Sequence, residues 1–416
     1  MSDTRAIAGV RRSLLPFAGL LALMVASPGC LGPEAIRTTR LRYNEIYRKT
    51  SDEQLLLNIV RMRYAESPVL IDLPTITGQF EAGAVGGFNT PGDGLDPGFP
   101  SFGIGQLTLR DTPTLSYHPR GGQEIAKTLV DPLKAEVLRV ISPGTDTFLF
   151  LLMAVNDIND IPNAPLATSL VPRVPQDNAN YREVVELFVG LQERGAAELA
   201  IATFDGEAHD PLPTDRVTGR DMIEAAKEGY TFQNLGGQSS LRKREKSVVL
   251  KIRPNELRSP DVVHLTEVLG LDPGQRLYKV RSEQSEEESM EQPLPNPLGE
   301  DSILVNMRSV LDIMVFLSKG VCIPPDHFAS GVAPITPGVD RPVHDWKDIT
   351  RGLFSVRSQK HRPRDAEVAV PYRGHWFYID RADIASRSTL TLLELLLELQ
   401  ETERSQQAPL LTLPLN

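Results

Sequence analysis

The sequence is poor in the residues that carry recognisable chemistry. Two cysteines in 416 residues exclude a disulfide scaffold and any paired CxxC motif. The seven histidines, at 118, 209, 264, 327, 344, 361 and 375, include no pair three or four residues apart, so no helix carries a two-histidine metal motif. No apolar run reaches about 18 residues, which argues against a multi-span membrane protein. Positive charge is in deficit: 44 Lys and Arg against 54 Asp and Glu leave −10, the wrong balance for a dedicated nucleic-acid binder. Walker A, GxSxG and HExxH patterns are missing. Gly103-Ile104-Gly105 lacks the third glycine and the following helix of a dinucleotide fingerprint. The expectation is a non-enzymatic protein with no cofactor and no metal.

What is present starts at the N-terminus. Arg5, Arg11 and Arg12 precede an apolar stretch from Leu14 to Ala26, and Ser27-Pro28-Gly29 places small residues before Cys30. That is the order of an export signal over residues 1–29. The cysteine at the cleavage point resembles a bacterial lipoprotein lipobox, which implies acylation of Cys30 and a membrane tether through lipid; an ordinary cleaved signal and an uncleaved anchor are the alternatives. Removing residues 1–29 takes away three arginines and one aspartate, so the net charge moves from −10 to −12. Leu31 rather than Asp follows the cysteine, which by Gram-negative sorting rules points to the outer membrane, facing the periplasm. With Cys30 acylated, Cys322 has no partner, and its neighbours Val321 and Ile323 predict a buried thiol.

Hydrophobic residues make up 41 % of the chain, enough for packed cores. The pattern predicts an α+β fold of two or more small mixed modules: 30–175, mostly helical; 176–282, a small α+β unit; and 302–416, α+β with a Leu-rich helix. Ser51 to Gln54 reads as a capping box opening a helix whose apolar face is Leu55, Leu56, Ile59, Val60 and Met62. Residues 83–105 hold eight glycines and three prolines, which predicts a long loop at the tip of a hairpin flanked by Thr75–Phe80 and Gln106–Leu109. Thr147 to Val155 is almost wholly apolar and must be buried. Tyr181 to Arg194 is an amphipathic helix ended by Gly195. Strands are expected at 198–204, 247–252 and 275–280. Residues 283–301 carry seven acidic residues and no Lys or Arg, an extended acidic linker. The last module is expected to open with a helix over 303–317. Strands 367–372 and 375–380 then flank an Arg373-Gly374 turn, and a Leu-rich helix covers 386–402.

Three constellations are candidate sites. His344, Trp346, His375, Trp376 and Asp380 gather both tryptophans near histidines and acids, a composition suited to sugar or peptide contact; the plainer reading is a strand with Trp376 on one face and Phe377 on the other. Arg242, Lys243 and Arg244, with Lys246 nearby, and the cluster at 357–364 are basic patches on an acidic chain, suited to anionic lipid or polysaccharide or else simply solvated. Tyr117 to Gly122 leads into a helical pattern and is most simply a turn.

Four stretches, TSDEQLLLNIVRMRY (50–64), TPTLSYHPRGGQEIAKTLVDP (112–132), the helix from Ser309 to Gly320, and YRGHWFYIDRADIASRSTL (372–390), resemble an uncharacterised family of bacterial lipoproteins. The resemblance implies the same architecture and outer-membrane tethering, but no activity, cofactor or catalytic residue. The acidic linker departs from it. The resulting expectation is an envelope lipoprotein that binds or scaffolds another envelope component. The alternatives are a periplasmic hydrolase of glycan or peptide using Asp380, Asp383 and His375, and a carrier of anionic lipid or polysaccharide.

Overall fold

The computed structural model describes residues 31–89, 101–119, 129–140, 147–171, 173–208, 212–213, 217–235, 238–282, 302–338 and 343–405. The acylation site expected at Cys30 and the acidic linker 283–301 lie outside these residues.

The chain opens with helix α1 (Leu31–Arg63), then the hairpin strands β1 (Ile71–Asn89) and β2 (Ser101–Pro119). Helix α2 (Thr147–Ala154), β3 (Val155–Ile158), β4 (Ile161–Pro162), α3 (Ala179–Glu193), β5 (Ala197–Ala208) and β6 (Leu212–Pro213) follow. Next come α4 (Gly219–Lys227), β7 (Tyr230–Leu235), β8 (Gln238–Ile252), α5 (Pro260–Val268), β9 (Leu277–Arg281) and β10 (Ser302–Met307). The last part holds α6 (Val310–Ser318), α7 (Pro325–Ala329), α8 (Lys347–Thr350), β11 (Arg357–Gln359), β12 (Ala366–Tyr372), β13 (His375–Asp380) and α9 (Ile384–Ser405). The fold is α+β.

The expected capping box at Ser51 is not a helix start. The helix runs through it, because Thr50 Oγ1 folds back onto the carbonyls of Ile46 and Tyr47 (2.9 Å each) and Arg48 reaches Asp52 (3.5 Å) one turn on. The second half of α1 is buried through Leu55, Leu56, Ile59, Val60 and Met62, as their spacing predicts. Residues 40–50 are exposed except for half-buried Tyr43. Buried Asn58 then ties down the exit, donating to Val69 O and accepting from Val69 N, each at 2.9 Å.

Residues 83–89 and 101–105 of the glycine-rich stretch are strand rather than the loop expected there, and 90–100, the expected tip, lie outside the described residues. β1 and β2 pair antiparallel from Ile71↔Pro119 to Asn89↔Ser101. Ladder bonds need only backbone, and Gly87 lies opposite Gly103, next to a bulge at Val85/Gly86. The hairpin itself forms, longer than the flanking pattern suggested.

An eight-stranded sheet runs β4-β3-β10-β9-β8-β5, with β6 and β7 also on β8; β10 and β9 are parallel. Its strands come from all three expected modules, and one buried cluster spans them. The reason is β10, which brings residues 302–307 between β9 and β3 and buries Ile303, Val305 and Met307. The apolar spacing of this segment predicts a helix instead. The helix begins later, at α6, where Ser309 and Asp312 cap each other reciprocally. Helices α3 and α5 cover one sheet face, α3 burying Val184, Val185, Phe188 and Leu191 as expected. An apolar void of about 60 Å³ remains between helices and sheet.

Helix α6 is buried all round and packs against α1, α2 and α9. At its root, Arg308 is fully buried. Its guanidinium donates to the carbonyls of Leu152 and Met153 (3.0 Å each) and Asn163, and lies 4.0 Å over the Phe316 ring. The C-terminal sheet β11-β13-β12 is antiparallel, and its β12–β13 turn uses Arg373 (φ 47°) and Gly374 (φ 80°), the doubly left-handed turn that a two-residue hairpin favours.

Candidate functional site

Strand alternation splits the expected sites. On β13, His375, Phe377 and Ile379 point inward while Trp376, Tyr378 and Asp380 are half-buried on the other face. Trp376 lies 5.3 Å from the Arg362 guanidinium, and Asp380 accepts from Arg357 (2.9 Å) and the Ala382 amide (3.0 Å). Trp346 is buried elsewhere, with Nε1 donating to Thr336 Oγ1 (3.1 Å). Each of these residues therefore has its own setting, and the composite pocket of Trp346, His375, Trp376 and Asp380 does not form. Asp383, named with Asp380 and His375 for hydrolysis, is engaged in capping α9 through Ser386 (2.7 Å). Arg242, Lys243 and Arg244 sit consecutively on β8, so Lys243 faces away from the other two. Lys243 and Arg244 are exposed and Arg242 is half-buried.

Two other groupings are better built. The first is a cleft of about 450 Å³ between the end of α1, the end of α6 and residues 344–355. Arg63, Lys319, Cys322, His344 and Trp346 line it, as do Asp345 and Asp383, which accept from the Lys347 amide (3.0 Å) and the Ser386 hydroxyl (2.7 Å). Cys322 is exposed here, contrary to its apolar flanks: Val321 bridges to Val356 and faces inward, so the next residue faces out. Lys319 Nζ donates to Ser169 O (2.8 Å) and lies 5.3 Å from the Trp346 ring; Arg63 donates to Pro334 O (3.1 Å). Among the described residues, neither cation pairs with a carboxylate. Burial, with Arg63 adding to it, pushes the Lys319 ammonium down to about 8, and burial pushes Arg63 down to about 10. The Nε of Arg63 and Nε2 of His344 are buried without a hydrogen-bond partner among the described residues.

The second grouping lies where the end of α1, α7 and the β12–β13 hairpin meet. Tyr64 donates its hydroxyl to His327 Nδ1 (2.7 Å), and His327 Nε2 faces Arg373 O (3.1 Å). The rings of His327 and His375 stand edge-on with centroids 4.8 Å apart, and His375 Nε2 faces Asp326 Oδ1 at 3.4 Å. His327 and His375 are buried; Asp326 is exposed. Burial drives the Tyr64 phenol well above its ordinary range, so it stays protonated. Arg373 reaches across to Glu66 (2.7 Å) and the Tyr372 hydroxyl (3.0 Å). Those contacts hold the hairpin against the end of α1, and they hold the Glu66 carboxyl below its ordinary range.

Of the residues in these two groupings, sequence patterns point to His375, His344 and Trp346 but not to Tyr64, Asp326, His327, Arg63 or Lys319. A search for ligands at helical spacing cannot find residues contributed by three separate elements. Comparison of the chain with family models, with curated proteins and with solved structures finds no match in any of the three.

Proposed function

We propose that the protein is a lipid-tethered component of the cell envelope that works by binding, with the cleft between α1, α6 and residues 344–355 as its ligand site. The ligand class is a small anion, carboxylate or phosphate. The observation that carries this reading is the convergence of Lys319 and Arg63 on one cleft without a carboxylate partner among the described residues. Two cations held this close in partial burial repel each other, and an anion between them relieves both the repulsion and the desolvation. Trp346 supplies an apolar wall.

The tether fits the same picture. Cys30 immediately precedes α1, and residues 31–50 would form a helical stalk about 30 Å long before the helix docks into the body. Anchoring raises the local concentration of the cleft at the membrane, so modest affinity suffices.

Two measurements test the two halves. Carboxylate and phosphate anions are added at fixed ionic strength while thermal unfolding of the full chain is followed. At least one class is expected to raise the midpoint in the wild type and not in Lys319→Met; equal shifts in both proteins, or none in either, refute the cleft. Intact-mass analysis of the membrane fraction tests the tether: an unacylated Cys30 ends that half of the reading.

A further inference from the structure

We propose that Asp326, His327 and His375 form a binding site for a divalent transition-metal ion of the zinc class, a site independent of the anion cleft. One ligand atom from each residue lies within 4.8 Å of the other two. His375 Nε2 and Asp326 Oδ1 stand 3.4 Å apart. Two ligands of a tetrahedral zinc ion, each bonded at roughly 2.0–2.1 Å, are separated by about 3.4 Å. One of the three ligand pairs therefore already has the spacing that one ion imposes, and the remaining pairs, within 4.8 Å, close by a small side-chain movement.

The surroundings are those of a ligand set. The carbonyl of Arg373 only accepts, so the His327 nitrogen facing it, Nε2, carries the proton in the neutral ring. That leaves the lone pair on Nδ1, where the Tyr64 hydroxyl now donates. A histidine whose second nitrogen is fixed by a backbone carbonyl is the usual arrangement around a metal, because it sets both tautomer and ring orientation. An ion takes the Nδ1 lone pair in place of the tyrosine hydroxyl, which stays close by as a hydrogen-bond donor. His375 is 7 % exposed and its Nδ1 has no partner among the described residues. Besides the contact of Nε2 with Asp326, packing holds its ring: His327 stands edge-on to it, and the inward-facing β13 residues beside it are buried. A buried imidazole held this way is unusual in a finished core and fits a ligand awaiting its ion.

Two imidazoles and one carboxylate favour Zn²⁺, Co²⁺ or Ni²⁺ over Ca²⁺ and Mg²⁺, which prefer oxygen. Three protein ligands leave one coordination position for water or a bound group. The ion joins α7 to the β12–β13 hairpin, with Tyr64 bringing in the end of α1.

The test is titration of the purified full chain with Zn²⁺ by calorimetry and with Co²⁺ by visible absorption. One equivalent is expected to bind, with the Co²⁺ spectrum displaced by Zn²⁺. Asp326→Asn, at an exposed position that leaves the core untouched, is expected to weaken Zn²⁺ binding by about tenfold or more. His375→Ala is expected to abolish it, while His361→Ala, at an exposed site elsewhere, binds as wild type does. The proposal is overturned if the wild type takes up no stoichiometric Zn²⁺. It is also overturned if Asp326→Asn and His375→Ala both bind with unchanged affinity.

Discussion

Arg308 is the residue whose replacement tests the architecture most directly. Its guanidinium is a fully buried donor fork that meets the carbonyls of Leu152, Met153 and Asn163 and lies over Phe316. These contacts fasten the end of α2 and the turn after β4 to the root of α6. Three charge-assisted bonds at about 1.5–3 kcal/mol each give a gross contribution of roughly 5–9 kcal/mol. Burial opposes this, pushing the guanidinium pKa well below its ordinary value, down to about 10. That shift corresponds to roughly 3 kcal/mol at about 1.4 kcal/mol per unit. Arg308→Met keeps length and apolar bulk, removes the desolvation penalty and leaves three carbonyls without their donor. The net expected loss is about 2–6 kcal/mol, read by urea unfolding of the full chain followed by circular dichroism and tryptophan fluorescence. Arg308→Lys separates charge from geometry: the carbonyls are met from two separate guanidinium nitrogens, and the three donors of a shorter, single-point ammonium do not span them, so it is expected to lose at least as much as the methionine variant. A methionine variant within about 1 kcal/mol of wild type, or a lysine variant that retains full stability, would refute the clamp.

Other expectations follow from single positions. Lys319 titrates near 8 in the folded chain against 10.5 when unfolded. The unfolded chain therefore holds more protons between those values, and stability should rise with pH across that window by up to about 3 kcal/mol. Urea unfolding at about pH 7.5 and about pH 9.5 should show this rise in wild type and lose it in Lys319→Met; equal slopes would count against the buried ammonium. Gly320→Ala places a Cβ against the carbonyl of Phe354, in a segment pinned by Val356 N to Gly320 O (3.0 Å) and Cys322 N to Val356 O (2.8 Å). Neither backbone yields easily, so the expected loss is about 1–3 kcal/mol, measured by chemical denaturation. Gly190→Ala on α3 meets nothing within 4 Å and is expected to gain about 0.5–1 kcal/mol in the same assay.

Elements specified by contacts close in sequence are legible in the residue pattern. The α3 helix, the buried run at α2 and the Arg373-Gly374 hairpin turn all follow from periodicity or from backbone conformation at one or two residues. Elements whose form depends on a distant neighbour are not. The segment 302–307 carries apolar residues that fit either a helix or a strand, and only β9 and β3 on its flanks decide for strand. Residues 83–89 and 101–105 look unable to build structure alone, yet each supplies the other's backbone partners. At Ser51 a good local cap signal yields to a helix already in progress.

The amino-acid order by itself settled the α+β class and most of the inward-facing positions, because local backbone preference and hydrophobic spacing act over a few residues. It also supplied the export-like start that motivates the proposed tether. The joining of three segments through one sheet was decided in three dimensions, and so were the outward turn of Cys322, the convergence of Lys319 with Arg63 and the meeting of Asp326, His327 and His375. Each of those depends on which distant surface a segment finds, and the energy of that encounter is written in no short stretch of sequence.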